Sequence, residues 1–147
     1  MNTLLLRYAE GMRADFDRIT DIISLTHDEI DSILGIGYGE TPTEKLSAEV
    51  RMRMQKVIEI VRLLDMSYES ELSLENIWKK EEALRAWFRW LYPPLDSAIP
   101  PLDCIISDPE RYLDRILELL NVEYILTAKA HPWVYRSEKY WSIINIL

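Results

Sequence analysis

Leu25-Thr26-His27-Asp28-Glu29-Ile30-Asp31-Ser32-Ile33-Leu34-Gly35-Ile36 is the stretch from which the fold is read most directly. Thr26 has the chemistry of a helix N-cap, since its hydroxyl can accept from an unpaired backbone N–H of the first turn. Glu29 follows three residues later, which makes a capping box. Ile30, Ile33 and Leu34 recur at helical spacing and form one apolar face. Gly35 stands where a left-handed residue ends a helix at low steric cost. The spacing therefore predicts a short amphipathic helix with both ends punctuated.

Working outward, the same periodicity continues. Upstream, residues 3–19 carry Leu4-Leu5-Leu6 and then Met12, Phe16 and Ile19, spaced by four and three as on one helical face. Downstream, Gly35-Ile36-Gly37-Tyr38-Gly39-Glu40-Thr41-Pro42-Thr43 reads as a loop by composition. A long amphipathic helix is predicted from Ser47 to Asp65, with Val50, Met54, Val57, Ile58, Val61 and Leu64 as its apolar positions. Another is predicted from Ser73 to Leu91, where Pro93-Pro94 stops it because proline cannot continue the hydrogen-bond ladder. Leu95 to Asp103 reads as a turn into a short helix. Ser107-Asp108-Pro109-Glu110 opens a further helix with the buried stripe Leu113, Ile116, Leu117 and Leu120. The remainder, from Ala130, is aromatic and ends apolar.

Composition agrees with this all-α reading. The 147 residues include four glycines, three of them between Gly35 and Gly39. Glycine inside a helix costs roughly 1 kcal/mol relative to alanine, so its scarcity elsewhere favours helices. Hydrophobic residues make up 48% and charged residues 29%, as in an ordinary globular protein. No repeat or low-complexity segment occurs. The longest apolar runs fall well short of the ~20 residues of a membrane span. The N-terminus lacks a basic segment followed by a long apolar core, so no signal peptide is expected. The single cysteine, Cys104, fits a reducing, cytoplasmic setting.

The residues that catalysis uses are sparse. His27 and His131 are far apart, His27 among acidic neighbours and His131 in a turn before proline. Cys104 has no nearby histidine and is expected to be a buried structural thiol. One cysteine and two distant histidines do not make a zinc site. The glycine cluster lacks the Gly-Lys-Ser/Thr of a phosphate loop and follows a helix rather than a strand. Adjacent acids such as Asp28-Glu29 and Glu81-Glu82 read as solvated helix faces. These readings lead us to expect a non-enzyme with no cofactor and no metal.

The formal net charge of −8 opposes strong nonspecific nucleic-acid binding. It is also uneven. Residues 21–40 hold five acids and no Lys or Arg, whereas Lys45, Arg51, Arg53 and Lys56 follow. Leu25 to Ile36 has the form of the first half of a helix-turn-helix. The element that would read DNA, residues 37–46, offers Lys45, Glu40, Glu44 and Pro42, where base reading uses Arg, Lys, Asn or Gln on a helix. Aromatics cluster elsewhere: Trp78, Trp87, Phe88, Trp90 and Tyr92 lead into a turn containing Leu95, Pro100, Leu102 and Ile105. Tryptophan is enriched at protein interfaces.

Together these residues resemble the Xre/MbcA/ParS family of bacterial antitoxins, over about residues 20–125. Leu25 to Ile36 matches its Xre-like region, and residues 46–65 its linker helix. Trp87-Phe88 stands at the Trp-Leu pair, Leu95 at the turn leucine, Pro100-Pro101-Leu102-Asp103-Cys104-Ile105 at the Pro-Leu-Asp segment, and Leu113 to Leu120 in the final helix. The chain departs from the pattern at Asp96-Ser97, where the family has glycines. It departs again in the acidic reading segment and in the longer aromatic extension beyond Asn121.

The resemblance implies two regions. Residues 1–66 would be an Xre-like helical region with helix-turn-helix-like helices followed by a long helix. Residues 67–147 would be a small toxin-binding helical bundle with an aromatic extension. It further implies a protein that binds and neutralises a toxin, in the family a RES-domain enzyme that consumes NAD. The expected partner contacts are Trp87, Trp90, Leu95, Pro100, Leu102, Trp133, Tyr135, Tyr140 and Trp141. Two other readings stay open. One is a homodimeric repressor of its own operon, contacting DNA through Lys45, Arg51, Arg53 and Lys56. The other is a phage or mobile-element protein that disarms a host protein.

Overall fold

The computed structural model describes the backbone of residues 3–71 and 77–130 and the side chains of residues 7–67 and 80–123. Among the described residues six α-helices occur, in the order α1 (Thr3–Ile22), α2 (His27–Leu34), α3 (Ala48–Glu71), α4 (Ile77–Arg89), α5 (Pro101–Ser107) and α6 (Pro109–Ala130). The fold is all-α. Among the described residues the only β pairing is an isolated bridge between Tyr92 and Asp96.

Helix α1 buries Ala9, Met12, Phe16 and Thr20, the three-and-four stripe expected of a helix lying on a core, and Ile23 just past its end continues it. It closes with a Schellman arrangement: Ser24 N–H donates to Asp21 O (3.1 Å) and Leu25 N–H to Thr20 O (2.9 Å). Ser24 takes the left-handed position, at φ 57°. The capping box at α2 is present as read. Glu29 N–H donates to Thr26 Oγ1 (3.1 Å), and Thr26 N–H to the Glu29 carboxylate (2.8 Å). Gly35 ends α2 at φ 71°, with its N–H on Asp31 O.

The segment after Gly35 is not a second α-helix. It forms two short 3₁₀ turns, Tyr38–Glu40 and Thr43–Lys45, fastened to α1. Tyr38 packs edge-on against Phe16, with centroids 5.3 Å apart, and donates its hydroxyl to Asp17 (2.6 Å). Arg13 lies over the Tyr38 ring and donates to Thr41 O (2.6 Å) and Tyr38 O (3.0 Å). Burial and the Asp17 acceptor raise the Tyr38 phenol above its ordinary range.

Ser47 caps α3 by accepting from Val50 N–H (3.1 Å). The predicted stripe Val50, Met54, Val57, Val61 and Leu64 is buried and Ile58 is half-buried. Ile60 and Leu63 are buried as well. This wide apolar arc makes α3 the central helix, contacting α1, α2, α4 and α6. Leu113, Ile116 and Leu120 of α6 complete the core, and Lys56 of α3 pairs with Asp114 of α6 at 2.7 Å. One hydrophobic cluster runs from Met12 through Leu120, so the regions on either side of residue 66 share a core. Among the described residues no helix is long and apolar enough to cross a membrane.

Candidate functional site

Helix α4 has two faces of different character. Leu84 and Phe88, four apart, are buried and hold it to the core. Trp87 is half-buried, with its ring edge-on to Phe88 (5.0 Å) and tilted on Tyr92 (5.3 Å). Trp90 is 72% exposed and Leu91 53%. Beside them lies an open hollow of about 610 Å³, lined by Glu82, Ala83, Ala86, Trp87, Trp90, Leu91 and Tyr92. A second hollow of about 560 Å³ lies across Trp90, bounded by Glu29, Arg85 and Arg89. Trp90, Glu82 and Ala86 line both hollows.

Two arginines set the position of this helix. Arg89 donates to Ile23 O (2.8 Å) and Ser24 O (2.8 Å), and Arg85 to Ile22 O (3.4 Å). Helix α1 has no basic residue in its last turn. Its terminal carbonyls carry partial negative charge, which the α4 guanidinium groups satisfy. At the other wall, the Tyr92 hydroxyl donates to the Glu123 carboxylate of α6. Burial, with Glu123 adding to it, raises the Tyr92 phenol. The turn after α4 is held by Asp96, whose carboxylate accepts from Ala98 N–H (2.7 Å) and Ile99 N–H (3.0 Å).

The expected partner contacts divide accordingly. Trp87 and Trp90 line the first hollow. Leu95 is half-buried against the core, and Pro100 is half-buried in the N-cap position of α5. Leu102 is 4% exposed, so its surface lies within the fold. Trp133, Tyr135, Tyr140 and Trp141 lie outside the described residues, as does His131. Leu91, Tyr92, Ala83 and Ala86 belong to the first hollow although sequence reasoning did not single them out as contacts. In the sequence Leu91 continues the four-and-three spacing of Leu84 and Phe88, so nothing there separates it from the buried face.

The four cations considered for DNA also divide. Arg53 donates to Ile33 O (3.1 Å) at the end of α2 and pairs with Glu49 (3.1 Å). Lys56 is paired with Asp114. Lys45 is exposed and Arg51 half-buried. Cys104 is buried at 1% exposure, with its thiol raised by burial and further by the charges of Asp96 and Asp103. His27 is exposed on α2. Among the described residues no three His, Cys, Asp or Glu side chains are grouped to hold a metal ion. Compared with known proteins, the chain matches no family model, no curated protein and no solved structure.

Proposed function

We propose that the protein is an antitoxin-like binder that blocks another protein by seating the end of α4 against it. The observation that carries this reading is the solvent-facing pair Trp90 and Leu91 beside an open apolar hollow. Aromatic side chains bury roughly 150–250 Å² each. At about 25 cal/mol/Å², covering the exposed 72% of Trp90 is worth about 3–4 kcal/mol before the costs of association. That is the scale of an interface hot spot. The resemblance of Trp87-Phe88 and Leu95 to Ile105 to the antitoxin pattern supports the same assignment and implies a RES-domain toxin as the partner.

The repressor reading is weaker on electrostatic grounds. Arg53 and Lys56 are engaged inside the fold, leaving Lys45 and Arg51 for phosphate. A dimer would then bring about four such cations, against the roughly 6–10 phosphate contacts of strongly salt-dependent binders.

Co-expression with the product of each adjacent gene tests the proposal. The expected result is a co-purifying complex and relief of the neighbour's toxicity, both lost in Trp90→Glu. Failure to form a complex with, or to rescue growth from, either neighbour rejects it.

A further inference from the structure

We infer that the outward face of α1 is a contact between two copies of this chain, paired antiparallel about a two-fold axis at Gly11. This face shares no lining residue with the hollows beside Trp90, so the inference goes beyond the binding role proposed above and does not depend on it.

The first observation is the glycine itself. Gly11 stands in the middle of the helix Thr3–Ile22, where glycine is a poorer choice than alanine. Its backbone is not left-handed, since among the described residues Gly35 is the glycine with positive φ. A Cβ at Gly11 would meet no heavy atom within 4 Å. Neither conformation nor packing among the described residues therefore calls for glycine at this place. What a helical glycine still offers is close approach of another backbone.

The second observation is the exposed surface around it. Gly11 lines a hollow of about 330 Å³ together with Arg7, Tyr8 and Asp15 of α1 and Gln55 and Ile58 of α3. The Gln55 amide donates to the Tyr8 hydroxyl (3.4 Å), yet Tyr8 stays 59% exposed.

The third observation is charge, and it selects the occupant. When two antiparallel helices cross at Gly11, a residue before the crossing comes level with the residue equally far after it on the other copy. Four positions before Gly11 is Arg7, and four after is Asp15. Each Arg7 therefore comes level with Asp15 of the other copy, and the two-fold axis makes this contact twice. Three positions before is Tyr8 and three after is the exposed Ala14, so a large side chain comes level with a small one. An isologous interface needs this self-complementarity. The face is also locally neutral: Arg7 and Arg18 balance Glu10 and Asp15, while Arg13 and Asp17 are engaged with Tyr38. Two copies can thus meet here although each chain carries −8. Asp15 already pairs with Arg18 of its own chain (3.2 Å), but that pair is exposed and holds the carboxylate only weakly.

Sedimentation of the full chain over a range of concentrations is expected to show a monomer–dimer equilibrium. Arg7→Glu or Asp15→Arg alone turns both symmetric contacts into like-charge pairs. Each should weaken the dimer roughly tenfold at low salt, with the effect shrinking as salt rises, on the order expected of two exposed pairs reversed. Mixed together, the two variants regain opposite charges at both contacts and should pair with each other about as tightly as the wild type pairs with itself. Gly11→Gln should melt no lower than the wild type in dilute solution, because glutamine is the better helix former, and should still lose the dimer. Trp90→Glu should leave the dimer intact.

A chain that stays monomeric at every concentration reached overturns the inference. So does a dimer indifferent to Gly11→Gln, or single charge variants that pair with each other no better than with themselves. A Gly11→Gln chain that melts lower than the wild type assigns the glycine to the fold and also counts against it. A dimer lost in Trp90→Glu places the contact elsewhere and overturns it as well. Absence of any captured toxin removes the antitoxin reading and leaves the dimer standing.

Discussion

Replacing Arg89 by alanine isolates the contact that holds the candidate binding helix to the rest of the fold. Arg89 makes two 2.8 Å bonds to the carbonyls of Ile23 and Ser24, at the end of a helix with no basic residue in its last turn. Hydrogen bonds to charged groups contribute roughly 1.5–3 kcal/mol each, so two at the lower bound amount to about 3 kcal/mol. Water reaching the exposed Ser24 carbonyl after truncation offsets about 1 kcal/mol of this. The expected loss is about 2 kcal/mol. For a chain of this size, 1 kcal/mol moves the midpoint by about 2–4 °C, so Arg89→Ala should melt about 4–8 °C lower. Thermal melting and urea titration of the two chains measure it. Arg89→Lys keeps the charge but loses the two-pronged geometry, and should recover about half. An Arg89→Ala chain melting within about 1 °C of wild type would refute the assignment of these bonds as a cap on α1.

Three further outcomes follow from single residues. Ser24 holds a left-handed backbone at the C′ position of α1, where a side chain costs about 1 kcal/mol. Ser24→Gly should raise the urea midpoint by the equivalent of about 0.5 kcal/mol after glycine's entropy cost, and a destabilised variant contradicts the reading. The Tyr38 and Tyr92 phenols are raised in the folded chain, so above about pH 10 the unfolded chain releases these protons first. Stability should be fully present below that pH and fall as pH rises through it. Tyr38→Phe should flatten the decline, and an unchanged slope would count against the burial of the phenol and its Asp17 contact. Cys104, buried and with its thiol raised, should react with a thiol reagent only as fast as the fold opens. Immediate labelling of the native chain would show that site to be open.

Three arginines tie helices to the ends of others. Arg85, Arg89 and Arg53 each donate to the carbonyls at the end of another helix. Neither α1 nor α2 has a basic residue in its own last turn. The fold thus directs three arginines onto the carbonyl ends of α1 and α2.

Local chemistry was legible without any structure. Thr26, Glu29 and Gly35 bound α2 because capping and left-handed closure depend on neighbours a few residues away. The stripes of α1, α3 and α6 follow from apolar spacing, and Pro93-Pro94 marks the region where α4 ends. Other features depend on contacts across the chain. Ser24 closes α1 in a position where glycine is the usual signal, so that end carried no mark. Residues 37–46 fold as two 3₁₀ turns because Arg13 and Asp17 of α1 hold Tyr38, a contact over more than twenty residues. Leu102 and Trp90 look alike as apolar interface candidates in the sequence. Only packing separates them, since α5 turns Leu102 into the core while α4, held by Arg89 to the end of α1, leaves Trp90 in solvent.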